Sequence, residues 1–204
     1  MPVKTLLLFI LLSFAASAQK NEKKAANDIY ASALRYYYKD YALRPMNCVV
    51  TNCTINWEIT QVDYSTTLDF VNQENKFTGR KERLDSSWAV AFLEAEKKKN
   101  IPTKQPLYFN ALPGASIVAK DSIDKSFGDY NDSTNLNNTG WNGFVKKFGW
   151  RDHIELSGII FLNNKAIVEI SCIRHEDDGE GLILFLQKVN KEWIVVSYMQ
   201  SWVA

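Results

Sequence analysis

Soft metal ligands are scarce in this chain, whose 204 residues include only two histidines and three cysteines. Cys48, Cys53 and Cys172 cannot build a four-thiolate zinc site, and no His-Glu-x-x-His helix replaces one. Walker and dinucleotide glycine loops are missing, as is a G-x-S-x-G nucleophile elbow. An excess of one charge is lacking too: 24 basic side chains meet 23 acidic ones. The one basic run, Lys97-Lys98-Lys99, ends a predicted helix, where cations suit the dipole. A nucleic-acid binder needs basic residues gathered on one face, so the pattern argues against that class. No cofactor and no resident metal are expected from these residues.

Long apolar runs are also absent. The longest, Thr5 to Ala15 in MPVKTLLLFILLSFAASAQK, is about half of the roughly 20 residues that a membrane span requires. It follows Lys4 and ends at Ala16-Ser17-Ala18, whose small residues suit a signal peptidase. The expectation is a signal peptide over 1–18, export to the periplasm or beyond, and no transmembrane segment after cleavage. Losing Lys4 leaves basic and acidic side chains in equal number. Residues 19–204 are long enough for one domain with a substantial core. In an oxidising compartment Cys48 and Cys53 could close a small disulfide loop. Cys172, inside an apolar run, reads as a small buried hydrophobe.

Periodicity supplies the elements. Ala26, Ile29, Tyr30, Ala33, Leu34, Tyr37 and Tyr41 form one stripe of a helix over about 22–43, stopped by Pro45. Ile55, Trp57 and Ile59 alternate with polar residues and predict a strand over 54–60. Asp85 caps a predicted helix over 86–99, and residues 102–118, with three prolines, read as an extended connection. Short helices follow over 121–127 and around Trp141–Phe148, closed by Gly128 and Gly149. Between them, DYNDSTNLNNTG starts like a calcium loop. It fails at Thr134 and Gly140, where a turn glycine and a bidentate glutamate should stand. From residue 157 onward four β-rich runs are joined by short links, Asn163-Asn164, the acidic segment and Asn190-Lys191, which calls for antiparallel pairing. The fold class is therefore α+β, with N-terminal helices packed on a C-terminal antiparallel β-meander.

One segment stands out chemically: His175, Glu176, Asp177, Asp178 and Glu180, interleaved with Gly179 and Gly181. It reads first as a wide hairpin turn, with the glycines supplying positive φ and the charges keeping a loop tip in water. Contact with a partner or a divalent ion is the functional alternative. Asp152 and His153 are neighbours, a spacing that rarely lets two side chains cooperate. No catalytic set is named.

The C-terminal third resembles a family of uncharacterised exported bacterial proteins of the Bacteroidetes type. The resemblance rests on Trp141-x-x-Phe144 with Lys147-Phe148, on Ser157-Gly158 leading to Phe161, and on Asn164-Lys165-Ala166. Gly179-x-Gly181, Lys191-Glu192-Trp193 and Ser201-Trp202-Val203-Ala204 complete it. Where relatives carry cysteine and glycine before the Gly-x-Gly loop, this chain has His175 to Asp178. The resemblance implies localisation and fold, with no activity. Two functions then compete. One is a non-catalytic interaction module of the cell envelope, binding another envelope protein or a small ligand. The other is a small-molecule-binding or enzymatic domain with a pocket similar to nuclear transport factor 2-like folds. His153 or Asp152 inside a cavity would favour the second, and a solid aromatic core the first.

Overall fold

A computed structural model describes residues 22–55, 69, 72, 84–88, 107, 112–128 and 139–204. Residues 22–36 form helix α1, which continues as a π-turn over Tyr37–Tyr41. The extra residue in that turn widens the apolar stripe, so that Tyr37 and its neighbour Tyr38 are both buried. Strand β1 is Cys48–Thr51 and β2 is Ala115–Val118. Helices α2 (Lys120–Phe127) and α3 (Gly140–Phe148) follow. Each stops at a glycine with positive φ, Gly128 at 66° and Gly149 at 78°. The remaining strands are β3 (Asp152–Leu156), β4 (Ile160–Leu162), β5 (Lys165–His175), β6 (Asp178–Val189) and β7 (Glu192–Val203).

All seven strands join one sheet in the order β2-β1-β3-β5-β6-β7, with β4 also paired to β5. The α+β class holds, but the antiparallel meander accounts for only part of the sheet. β1 lies parallel to both β2 and β3, and antiparallel pairing begins at β5. Of the strand expected over 54–60 only Thr54 and Ile55 are described, Ile55 forming an isolated bridge with Ser157; the rest of it, the end of the helix expected over 86–99 and 129–138 of the calcium-like loop lie outside the described residues. What is described agrees with the cap: residues 86–88 are helical, and Asp85 Oδ1 accepts the Ser87 N–H at 3.0 Å.

Strand periodicity sorts the side chains into layers. Val168, Ile170 and Cys172 of β5, with Leu182, Leu184 and Leu186 of β6, pack beneath α1 against Ile29, Leu34 and Tyr37. The opposite face carries α2 and α3, where Val49, Ile123, Trp141 and Phe144 make a smaller core. Each large aliphatic side chain removed from water in these layers contributes about 1.5–3 kcal/mol. Between β3 and β4 the edge is interrupted, and Ser157 repairs the ladder. Its Oγ accepts the Glu169 N–H at 2.8 Å while its own N–H donates to Glu169 O at 2.9 Å.

Positive φ occurs at Asn163, Asn190 and Lys191, the β4–β5 and β6–β7 turns, as the sequence suggests. The acidic segment behaves differently. Its turn is confined to Glu176 and Asp177, and Gly179 and Gly181 lie inside β6 without positive φ. These glycines make room for Trp202 instead. A Cβ on Gly179 would stand 2.9 Å from Trp202 Cη2, and one on Gly181 would overlap the indole Nε1 and Ser201 Oγ. Gly181→Ala should therefore cost about 1–3 kcal/mol by overpacking. In a Trp202→Ala background the same change should cost about 1 kcal/mol less, because only the contact with Ser201 Oγ remains. A double-mutant cycle in urea reads the coupling directly, and additive costs would show that the indole does not use this seat.

The Cys48–Cys53 disulfide is not formed. All three cysteines are free, and the extended run Cys48–Thr51 occupies most of the interval between the first two. The strand from Cys48 to Thr51 alone rises about 10 Å, already beyond the roughly 4.4–6.8 Å between Cα atoms that a disulfide tolerates.

Candidate functional site

The five residues singled out in the acidic segment go to three different places. Glu180 points beneath the π-turn, where Tyr37 Oη donates to Oε1 at 2.7 Å and Tyr41 Oη to Oε2 at 2.8 Å. Arg174 Nη1 adds a third donor at 2.5 Å, and Arg174 also grips Asp178 Oδ1 through Nε at 2.8 Å and Nη2 at 2.6 Å. Burial opposes ionisation of Glu180, yet the hydrogen bonds from Arg174, Tyr37 and Tyr41 outweigh it and hold the carboxyl below its ordinary range. Asp178 is likewise held low by Arg174. Every group in this cluster is matched, so it is a fastening between α1 and the sheet. Asp177 stands exposed at the turn.

His175 and Glu176 face the other layer. The Trp141 N–H, in the first turn of α3, reaches Glu176 Oε1 at 3.4 Å, and a carboxylate there suits the helix dipole. The His175 ring lies 6.2 Å from the Trp141 ring. Both residues border a cavity of about 370 Å³ whose walls include Phe127, Trp141, His153, Glu155 and Ile173. That volume falls at the small end of the range used for small-molecule sites.

Asp152 and His153 do not act together, because strand alternation sends them to opposite faces. Asp152 Oδ2 accepts from Tyr38 Oη at 2.7 Å and from Arg44 Nη2 at 2.8 Å on the α1 side. His153 enters the cavity layer, with its ring 6.1 Å from Phe127 and 5.8 Å from Phe144. Its Nε2 lies 2.9 Å from Thr51 Oγ1. Burial, together with the nearby charge of Lys120, pushes its pKa down to about 4. The imidazole is therefore neutral at pH 7.

Two polar atoms in this layer lack a hydrogen-bond partner among the described residues: Trp141 Nε1 and His153 Nδ1. Trp141 is 3% exposed and His153 5% exposed, so water at the surface does not serve them. Trp141 is fixed by stacking on Phe144, with centroids 4.7 Å apart and planes 19° apart. A buried, unmet donor costs about 1–3 kcal/mol, and both orphans belong to residues that line the same cavity. The sequence held a signal for half of this site. The alternation over 152–156 puts His153 and Glu155 on one face, but Trp141 comes from a distant helix.

No family model, curated protein or solved structure matches the chain. Among the described residues no group of three or more His, Cys, Asp or Glu side chains is arranged to hold a metal, and no helix is long and apolar enough to cross a membrane.

Proposed function

We propose that the chain is an exported, non-catalytic binding domain that seats a small molecule in the cavity between α3 and β3–β5. The observation that carries this reading is the pair of buried orphans, Trp141 Nε1–H and His153 Nδ1, in two residues that line one cavity. A ligand with a hydrogen-bond acceptor would meet the indole N–H, and Phe127, Trp141 and Ile173 offer it apolar walls. Glu155 and Glu176 add acceptors to the same lining. Binding fits better than catalysis. A histidine whose pKa lies near 4 is a weak base at neutral pH, and the described lining supplies no hydroxyl, thiol or amine nucleophile. Export rests on the leader-like first 18 residues and on the resemblance to exported proteins. The envelope interaction module is thereby narrowed to one whose partner is a small ligand.

A thermal-shift screen of small metabolites against the protein and its Trp141→Phe variant tests the proposal. A ligand at a hundred times its dissociation constant contributes about 2.7 kcal/mol, or roughly 5–10 °C for a chain of this size. Trp141→Phe keeps the stacked ring and removes only the orphan N–H. The free variant should unfold within about 1 kcal/mol of the parent or above it, while losing most of the ligand shift. A shift unaffected by Trp141→Phe would place the ligand elsewhere and defeat the proposal.

A further inference from the structure

We propose a second binding site, on the opposite side of the sheet: a groove at the C-terminal end of α1 that takes an alkyl carboxylate, an aliphatic chain with an anionic head. The groove encloses about 480 Å³. Tyr38, Leu43 and Met46 give it an apolar wall, and Arg35, Lys39 and Arg44 surround that wall with cations. Apolar walls with a few placed charges are the ordinary make-up of a small-ligand site.

Two features of the backbone meet here. The π-turn of α1 closes with Ala42 N–H donating to Tyr37 O at 2.7 Å, and Arg44 N–H reaches back to Tyr38 O at 2.9 Å. Between them Leu43 sits at φ 52°, in the left-handed position after a helix where glycine is usual. Its side chain is 78% exposed. A leucine there bears backbone strain and presents apolar surface to water, so it serves stability poorly on both counts. An aliphatic chain lying along Leu43 and Met46 would remove that surface from water.

Charge selects the head group. Arg44 gives Nη2 to Asp152, its Nε has no partner among the described residues, and its guanidinium lies 5.7 Å from the Tyr38 ring centroid. Arg35 and Lys39, one turn apart on the exposed flank of α1, remain to meet a carboxylate. Asp40 is the nearest acid on the helix itself, and Asp152 faces the groove's floor through Arg44. With Arg44 paired to Asp152, Arg35 and Lys39 leave the lining with two cations in excess, so an anion fits and a cation does not.

Isothermal titration of decanoate and of decan-1-ol into the full chain is the test. Decanoate should bind saturably at one site, at least about tenfold more tightly than the alcohol, and more weakly as salt rises. The double variant Arg35→Glu with Lys39→Glu should lose about tenfold in decanoate affinity. Leu43→Gly should raise the thermal midpoint by relieving the strained φ, yet weaken decanoate about five- to tenfold. Equal affinity for acid and alcohol would overturn the proposal, as would variants that leave decanoate binding unchanged. So would adsorption to phosphatidylglycerol vesicles without binding of monomeric decanoate, which would make the patch a membrane-facing surface.

Discussion

Glu180→Ala should destabilise the fold by about 3 kcal/mol in urea unfolding. The change removes the acceptor for Tyr37, Tyr41 and Arg174 together. Arg174, whose side chain is 22% exposed, would keep Asp178 but lose its more buried partner. Tyr37, fully buried, would lose its carboxylate acceptor and be left with Arg174 and the Cys172 thiol beside its hydroxyl. Glu180→Gln retains acceptors for the tyrosines and gives up the charge, so about half of the loss should return. The folded-state pKa of Glu180 is depressed. Its contribution is therefore complete above the ordinary glutamate range and lost as pH falls through and below it. A cost under about 1 kcal/mol for Glu180→Ala would show that the cluster behaves as a solvent-screened surface pair.

The second large effect is a dependence of stability on pH set by His153. With a folded pKa near 4 against an ordinary value of 6.5, the unfolded chain binds the proton first as pH falls. The contribution of His153 should therefore be constant above pH 6.5 and decline steadily toward pH 4. The loss is on the order of 3 kcal/mol across that window, at 1.36 kcal/mol per unit. Between pH 6.5 and 5 the carboxylates of Glu180 and Asp178 stay ionised in both states, so this part of the slope belongs to histidine. His153→Gln should flatten the slope in equilibrium unfolding between pH 5 and 7. An unchanged slope in the variant would contradict the burial of a neutral imidazole.

Local signals in the sequence were read well and long-range ones were not. The stripe of α1, the glycine stops of α2 and α3, and the asparagine turns at 163–164 and 190–191 each depend on neighbours in sequence. Strands β1 and β2 are four residues long and parallel, and CVVT and ASIV become strands only because β3 and one another lie alongside. Strand β3 was hidden by polarity. Asp152 is tolerated because Tyr38 and Arg44 meet it, and His153 and Glu155 because they line a cavity. The Gly179-x-Gly181 pair has the composition of a turn, since the Trp202 it accommodates lies far along the chain, across the β6–β7 hairpin. His175 and Glu176 do border the candidate site, while Asp178 and Glu180 fasten α1, a division fixed by the face of the sheet that each side chain takes.

The most direct test of the binding cavity is nitrogen-15 NMR of the Trp141 indole and the His153 imidazole, recorded while the ligand with the largest thermal shift is added. Ligand binding should move the Trp141 Nε1–H proton downfield as it gains an acceptor, with a change at His153 Nδ1 at the same ligand concentration. The indoles of Trp88 and Trp193 should stay in place. Saturation of the thermal shift with both cavity resonances unmoved would contradict binding in this cavity.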